Sequence, residues 1–137
     1  MELMYTGTAP TRAYPDDAGL DLYVHGDYTV LPGEYVDIDL NVKIKTPPGY
    51  WVLLTGRSSS MRNRRLLVAQ GVIDPGYTGP LYAGVTNMGS EPVHIWSGER
   101  IAQLIAFRNE TESLRLVEVD ELPATERGDR GFGSSGR

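Results

Sequence analysis

EYVDIDLNVKIK, residues 34–45, alternates apolar and polar side chains along its whole length. Val36, Ile38, Leu40, Val42 and Ile44 fall on one side, and Asp37, Asp39, Asn41, Lys43 and Lys45 on the other. A period of two matches the pleat of a half-buried strand, because successive side chains of an extended chain point to opposite faces. The pattern predicts one strand from Glu34 to Lys45. Turn chemistry brackets it, with Leu31-Pro32-Gly33 before and Pro47-Pro48-Gly49 after. Outward from this segment, short runs of β-branched, aromatic and aliphatic residues recur at Leu20–Val24, Tyr50–Leu54, Leu81–Thr86, Val93–Trp96, Ile101–Phe107 and Leu114–Val119. Asp74-Pro75-Gly76 and Ser97-Gly98 supply further turns between them. The 16 glycines and 9 prolines in 137 residues favour many short elements over long helices. One short helix fits Ser59–Leu66. The pattern predicts a single all-β domain, an antiparallel sandwich or jelly roll.

Composition removes several function classes. There is no cysteine, which excludes disulfides, thiolate metal sites and thiol nucleophiles. The two histidines, His25 and His94, lie far apart and outside any metal-ligand pattern, so a His-based zinc site or a Ser-His-Asp triad has little material. Lysine and arginine number 13 against 18 acids, a net charge of −5 that argues against general binding to nucleic acid or a membrane surface. The opening MELMYTGTAP has no charged start followed by an apolar run, and no stretch approaches the roughly 20 apolar residues of a membrane span. A cytoplasmic protein is expected.

Chemistry gathers in a few segments. Thr55-Gly56-Arg57-Ser58-Ser59-Ser60 puts an arginine and three hydroxyls after a strand, a composition suited to phosphate oxygens; alone, it reads rather as a strand-to-loop turn with a solvated arginine. Arg62, Arg64 and Arg65 follow and read as a solvated helix face. Gly71 to Gly79, GVIDPGYTG, reads as a strand entering a tight turn and returning as Leu81–Asn87, a β-hairpin. Asp74 is a turn former there, and is also a carboxylate able to orient and deprotonate a water. Tyr77 could cover a planar ligand. Ala18-Gly19-Leu20-Asp21-Leu22 sets one acid in an apolar strand, where an unpaired charge is costly and calls for a cation or a metal-bound water. Gln103 stands between apolar neighbours in GERIAQL, 98–104, and reads equally as a satisfied buried amide or as a site residue. The last stretch, 127–137, holds four glycines and two serines in eleven residues. It is expected to be a mobile arm after a β domain spanning 1–126.

Taken in order, AGLDL at 18–22, GRSSS at 56–60, GVIDPGYTG at 71–79, GERIAQL at 98–104 and RGDRGFGSSG at 127–136 resemble the five motifs of the trimeric deoxyuridine triphosphatase (dUTPase) family. The resemblance implies a distorted jelly-roll homotrimer with active sites between subunits, hydrolysing dUTP to dUMP and pyrophosphate with Mg2+. It further implies that the enzyme keeps uracil out of DNA and supplies dUMP for thymidylate synthesis. Carried over to this sequence, Asp74 activates the water that attacks the α-phosphorus, and Tyr77 packs under the deoxyribose. Asp21 holds waters of the Mg2+ shell, since that ion keeps most of its waters beside a triphosphate. Arg57, Ser58 and Ser59 bind phosphate oxygens with support from Gln103. Main-chain groups of Gly71, Val72 and Ile73 read uracil. In the arm, Arg127 meets the terminal phosphate, Phe132 stacks on the base, and Gly133, Ser134 and Ser135 wrap the substrate. Three departures from the family pattern stand out: Ser59 where many members have glycine, the arginine-rich Met61–Arg65, and Pro80 after the motif-three glycine.

Two other readings share this pattern. The dCTP deaminase family resembles GRSS and IDPG, as a deaminase or a bifunctional enzyme, but it uses a glutamate where Gly84 stands here between Ala83 and Val85. A regulatory protein of dUTPase fold, whose task is to bind a protein partner, is the third.

Overall fold

The computed structural model describes residues 1–131. Eleven strands and one short helix follow in order: β1 Met4–Gly7, β2 Leu20–Tyr23, β3 Tyr28–Val30, β4 Tyr35–Asp39, β5 Val42–Lys45, β6 Tyr50–Gly56, α1 Ser58–Arg64, β7 Leu66–Val68, β8 Gly71–Ile73, β9 Tyr82–Asn87, β10 Val93–Ile95 and β11 Arg100–Arg108. Two antiparallel sheets dominate, with strand orders β2-β11-β6-β8 and β4-β9-β7; the ribbons β1-β5 and β10-β3 flank them. The all-β expectation holds.

The inner faces explain why these residues form strands. Leu22, Val52, Leu54, Ile73, Ile101, Ala102 and Leu104 of the larger sheet join Ile38, Leu66, Val68, Ala83 and Val85 of the smaller in one buried cluster. Burial of this apolar surface, worth about 25 cal/mol per Å², offsets the entropy of ordering so many short strands.

The deciding stretch behaves differently from a single strand. Its burial alternates throughout, but the ladder changes partner at Asn41: β4 pairs with β9, and β5 with β1. Asn41 takes the left-handed conformation at φ 48°. Its backbone N–H donates to the Asp39 carboxylate at 2.8 Å, the local side-chain bond that lets asparagine turn the chain without glycine. Periodicity survives the corner and therefore hides it.

Three further corrections follow. The expected hairpin of Gly71–Asn87 is not one, because β8 joins β6 in the larger sheet whereas β9 joins β4 and β7 in the smaller. The turn at Asp74 instead carries the chain from one sheet to the other, so one edge of β8 stays unpaired in the larger sheet. The expected strand Leu114–Val119 does not form either. A 3-10 turn at Glu110–Ser113 leads into exposed chain in which Leu116 is 94% accessible. No strand among the described residues pairs with it, and a β pattern without a partner makes no sheet. The helix runs over Ser58–Arg64 rather than Ser59–Leu66, since Arg65 turns left-handed at φ 57° and Leu66 already begins a strand. Short β1, β3 and β7 carried no periodicity that sequence reading detected. Among the described residues no helix is long and apolar enough to cross a membrane.

Candidate active site

The β2 edge of the larger sheet gathers the charged residues. Asp21 lies opposite Gln103 in the ladder, with Thr55 on the far side of Gln103. One Asp21 oxygen meets the Arg57 Nε at 3.1 Å, and the other meets Arg100 at 3.2 Å; the aspartate side chain is only 14% exposed. The demand of a lone acid for a cation is therefore met by arginines. Arg57 also donates to the Arg100 carbonyl at 3.0 Å, so its guanidinium is held from two directions. Its backbone N–H bonds the Ile101 carbonyl, fixing the start of α1 against β11.

Other bonds tie the same corner. The Gln103 amide donates to the Gly56 carbonyl at 2.9 Å, anchoring the chain just before Arg57. Gly19 makes room for that amide, since a β-carbon there would lie 2.2 Å from the Gln103 oxygen. Of the three serines, the middle of α1 takes one inward: the Ser60 hydroxyl donates to the Ile101 carbonyl at 2.8 Å. Ser58 is exposed and Ser59 half-buried. A cleft of about 500 Å³ is lined in part by Thr55, Gly56, Arg57 and Met61.

Sequence reading missed Arg100 and misjudged Arg64. Arg100 follows Glu99 at a β-bulge, and the register shift between Arg100 and Ala102 carries the ladder past this point. Arg64 is not a solvated helix residue: it pairs with Glu99 at 2.7 Å and donates to the His94 carbonyl, fastening α1 to the β10–β11 turn. Charge pattern alone offered no signal for either, because the partners are 35 and 79 positions away in sequence.

Asp74 and Tyr77 sit elsewhere. Asp74 directly follows β8, at the opposite edge of the same sheet from β2. Three strand spacings of about 4.8 Å put roughly 14 Å between the two edges. Asp74 is exposed, and among the described residues its carboxylate has no partner. Its backbone carbonyl accepts from the Tyr77 N–H at 3.0 Å, closing the turn, and the Tyr77 hydroxyl donates to the Pro80 carbonyl at 2.8 Å. Gly71, Val72 and Ile73 form β8 and offer main-chain groups along its unpaired edge. Arg127 is exposed, and among the described residues its side chain donates to the carbonyls of Arg130 and Gly131. Phe132, Gly133, Ser134 and Ser135 lie outside the described residues.

A family model described as dUTPase matches residues 6–136. The chain belongs to the dUTPase family. It is similar to a deoxyuridine 5'-triphosphate nucleotidohydrolase of Caldanaerobacter subterraneus, 40% identical over 133 residues that cover 93% of this chain and 88% of the relative. The mouse protein of the same name is 38% identical over 130 residues, covering 95% and 79% of the two chains. Among solved structures, the Staphylococcus bacteriophage 80alpha dUTPase with dUPNHPP superposes with a TM-score of 0.91 at 29% identity, covering 99% of each chain. In this dUTPase, then, Asp21 and Asp74 stand at opposite edges of one sheet.

Proposed function

We propose that the chain hydrolyses dUTP to dUMP and pyrophosphate, with Asp74 as the base that orients and deprotonates the attacking water. The observation that carries the reading is the division of labour across the larger sheet. An unpartnered carboxylate stands at the β8 edge, and a held arginine stands at the β2 edge. Arg57, Ser58 and Ser59 bind phosphate oxygens, with Gln103 positioning them through Gly56. The free edge of β8 at Gly71–Ile73 reads uracil through main-chain N–H and C=O groups, and Tyr77 packs against the deoxyribose.

The β6–β8 register puts Asp74 level with Trp51, six residues along β6 from Arg57; at about 3.3 Å per residue the two stand roughly 20 Å apart along the sheet, too far for one nucleotide's α-phosphorus to meet both within a single chain. We therefore read the protein as a homotrimer in which one copy's β8 turn faces another's arginine cluster. The outward face of the larger sheet supports this, since Trp51, Leu53, Val72, Ile105 and Phe107 form an apolar surface there, with Trp51 and Phe107 stacked at 4.8 Å. Residues 1–126 would form the domain, and 127–137 an arm that closes on the substrate, Arg127 meeting the terminal phosphate and Phe132, Gly133, Ser134 and Ser135 covering the nucleotide.

Mg2+ fits this site only through water. Among the described residues no three acidic or histidine side chains come together as a metal cage. Asp21 is the one acid in the cluster, and each of its oxygens keeps a lone pair beyond its arginine for a metal-bound water. When bound with the triphosphate, Mg2+ supplies neutralisation of phosphate charge. We place the protein in the cytoplasm, of the cell itself or of a host.

Incubation with each deoxynucleoside triphosphate and Mg2+, followed by product identification, tests the reading. The expected products are dUMP and pyrophosphate from dUTP alone. Ammonia released from dCTP would establish the deaminase reading instead, as would formation of dUMP from dCTP.

A further inference from the structure

The turn that presents Tyr77 is short and almost free of outside ties, yet the tyrosine ring has one defined place in it. The Tyr77 hydroxyl is bonded to the Pro80 carbonyl three residues on, which folds the side chain back along its own loop. Gly79 lies directly beneath. A β-carbon on Gly79 would stand 2.6 Å from the hydroxyl oxygen, 2.7 Å from Cζ and 3.0 Å from Cε1 of the ring. Carbon atoms do not approach that closely, so any side chain at 79 must displace the ring. Gly79 has no positive φ that would by itself demand glycine, unlike Gly26, Gly33, Gly49 and Gly98. Its lack of a side chain answers to the ring.

We propose that Gly79 is a specificity-determining residue: it is the seat that fixes where the Tyr77 ring meets the sugar, and so sets the preference for deoxyribose over ribose. The inference rests on the reading that Tyr77 packs against the sugar. Gly79 is a positioning residue and touches no substrate. With the seat in place, the ring has one position, held below by bare backbone and at its tip by the Pro80 carbonyl. A nucleotide carrying an extra hydroxyl then meets a wall that cannot recede. With a methyl group at 79, the ring lifts or swings off the carbonyl, and the wall becomes one that yields.

The far end of a flexible side chain, rather than backbone, stands against the added methyl, so Gly79→Ala leaves fold and assembly intact while shifting the ring. The test is the ratio of kcat/KM for UTP to that for dUTP in Gly79→Ala, Tyr77→Ala, the double variant and Tyr77→Phe. Gly79→Ala is expected to raise the ratio about tenfold, the scale of gaining or losing one group's fit in a pocket. In the Tyr77→Ala background the same change should leave the ratio where Tyr77→Ala put it, since no ring remains to displace. Tyr77→Phe keeps the seat but loses the bond to Pro80, and should move the ratio in the same direction by less. If Tyr77→Ala relaxes selection but Gly79→Ala and Tyr77→Phe do not, the seat is refuted while the sugar contact stands. If Tyr77→Ala itself leaves the ratio unchanged, the reading of Tyr77 fails, and this inference with it. An equal effect of Gly79→Ala with and without the ring would also overturn it, by showing that the methyl group acts on something other than Tyr77. Should Gly79→Ala fail to fold, the double variant decides the question: recovery of the fold once the ring is gone supports the seat, and continued misfolding overturns it by showing that the methyl group meets something other than Tyr77.

Discussion

The two edges of the larger sheet are built on opposite plans. At the β2 edge Asp21 is bonded to two arginines, Arg57 to Asp21 and the Arg100 carbonyl, and Gln103 to Gly56. At the β8 edge, Asp74 has a turn under its backbone and nothing on its carboxylate among the described residues. The contrast follows the chemistry each group must perform. Donors that stabilise developing negative charge are worth most when already fixed, because no energy is spent orienting them at the moment of reaction. A base must keep its affinity for a proton, and an arginine against Asp74 would lower it.

The largest effect should come from the open edge. Asp74→Asn should lower kcat by about 10²-fold or more while the melting temperature stays near that of the parent, since the side chain holds nothing in place. Unchanged turnover would reduce Asp74 to a turn residue and erase the contrast. Next is removal of everything after Thr125, which should lower kcat by about tenfold or more through lost closure, with thermal stability and assembly mass nearly unaltered. Full turnover by the shortened chain would show that the two edges suffice between them.

The closed edge should show the reverse balance. Asp21→Ala leaves Arg57 and Arg100 facing each other without their shared anion, and should cost about 1–2 kcal/mol of stability, read as a fall in melting temperature alongside the loss of activity. A variant that lost activity with its melting temperature unchanged would mean that Asp21 serves the substrate alone, and that the cluster is not structurally closed.

The smallest effect lies in the other sheet. Tyr35 donates to Asp37 at 2.8 Å, and this bond, with lesser contributions from desolvation and the nearby negative charge, raises the phenol above its usual value near 10. A group whose folded-state value is raised contributes stability that is complete below the unfolded value, and loses it as pH rises through the folded one. Tyr35→Phe should therefore remove a small alkaline component from the stability-against-pH curve and leave the region near neutrality almost unaltered. Superimposable curves up to the alkaline limit would show that the bond carries no folding energy.

Much of the fold was legible because strands declare themselves by local alternation. Val36 to Ile44, Leu20 to Val24 and Ile101 to Phe107 all lie where their patterns put them, apart from the corner at Asn41. What alternation does not carry is the identity of the partner. Leu114–Val119 has the composition of a strand and no mate among the described residues, and the segments flanking Asp74 have the look of a hairpin yet enter different sheets. The candidate site divides likewise. Arg57, Asp21 and Gln103 are brought together; Asp74 and Tyr77 are not, and Arg100 entered with no forewarning.

The sequence by itself determined the all-β class, the exclusion of thiol and His-based chemistry, the short helix after β6, and the residue types able to meet phosphate, water and sugar. Each of these depends on side-chain chemistry or on spacing within a few residues, which is printed in the chain. Only the tertiary structure decided that Asp21 would be neutralised by two arginines, that Asp74 would stand three strands away from them, and that Gly79 would lie beneath the Tyr77 ring. Those facts depend on strand order and on how closely atoms approach after folding. Strand order is set by the summed burial of both sheets around one core, a property of the whole chain that no local stretch contains.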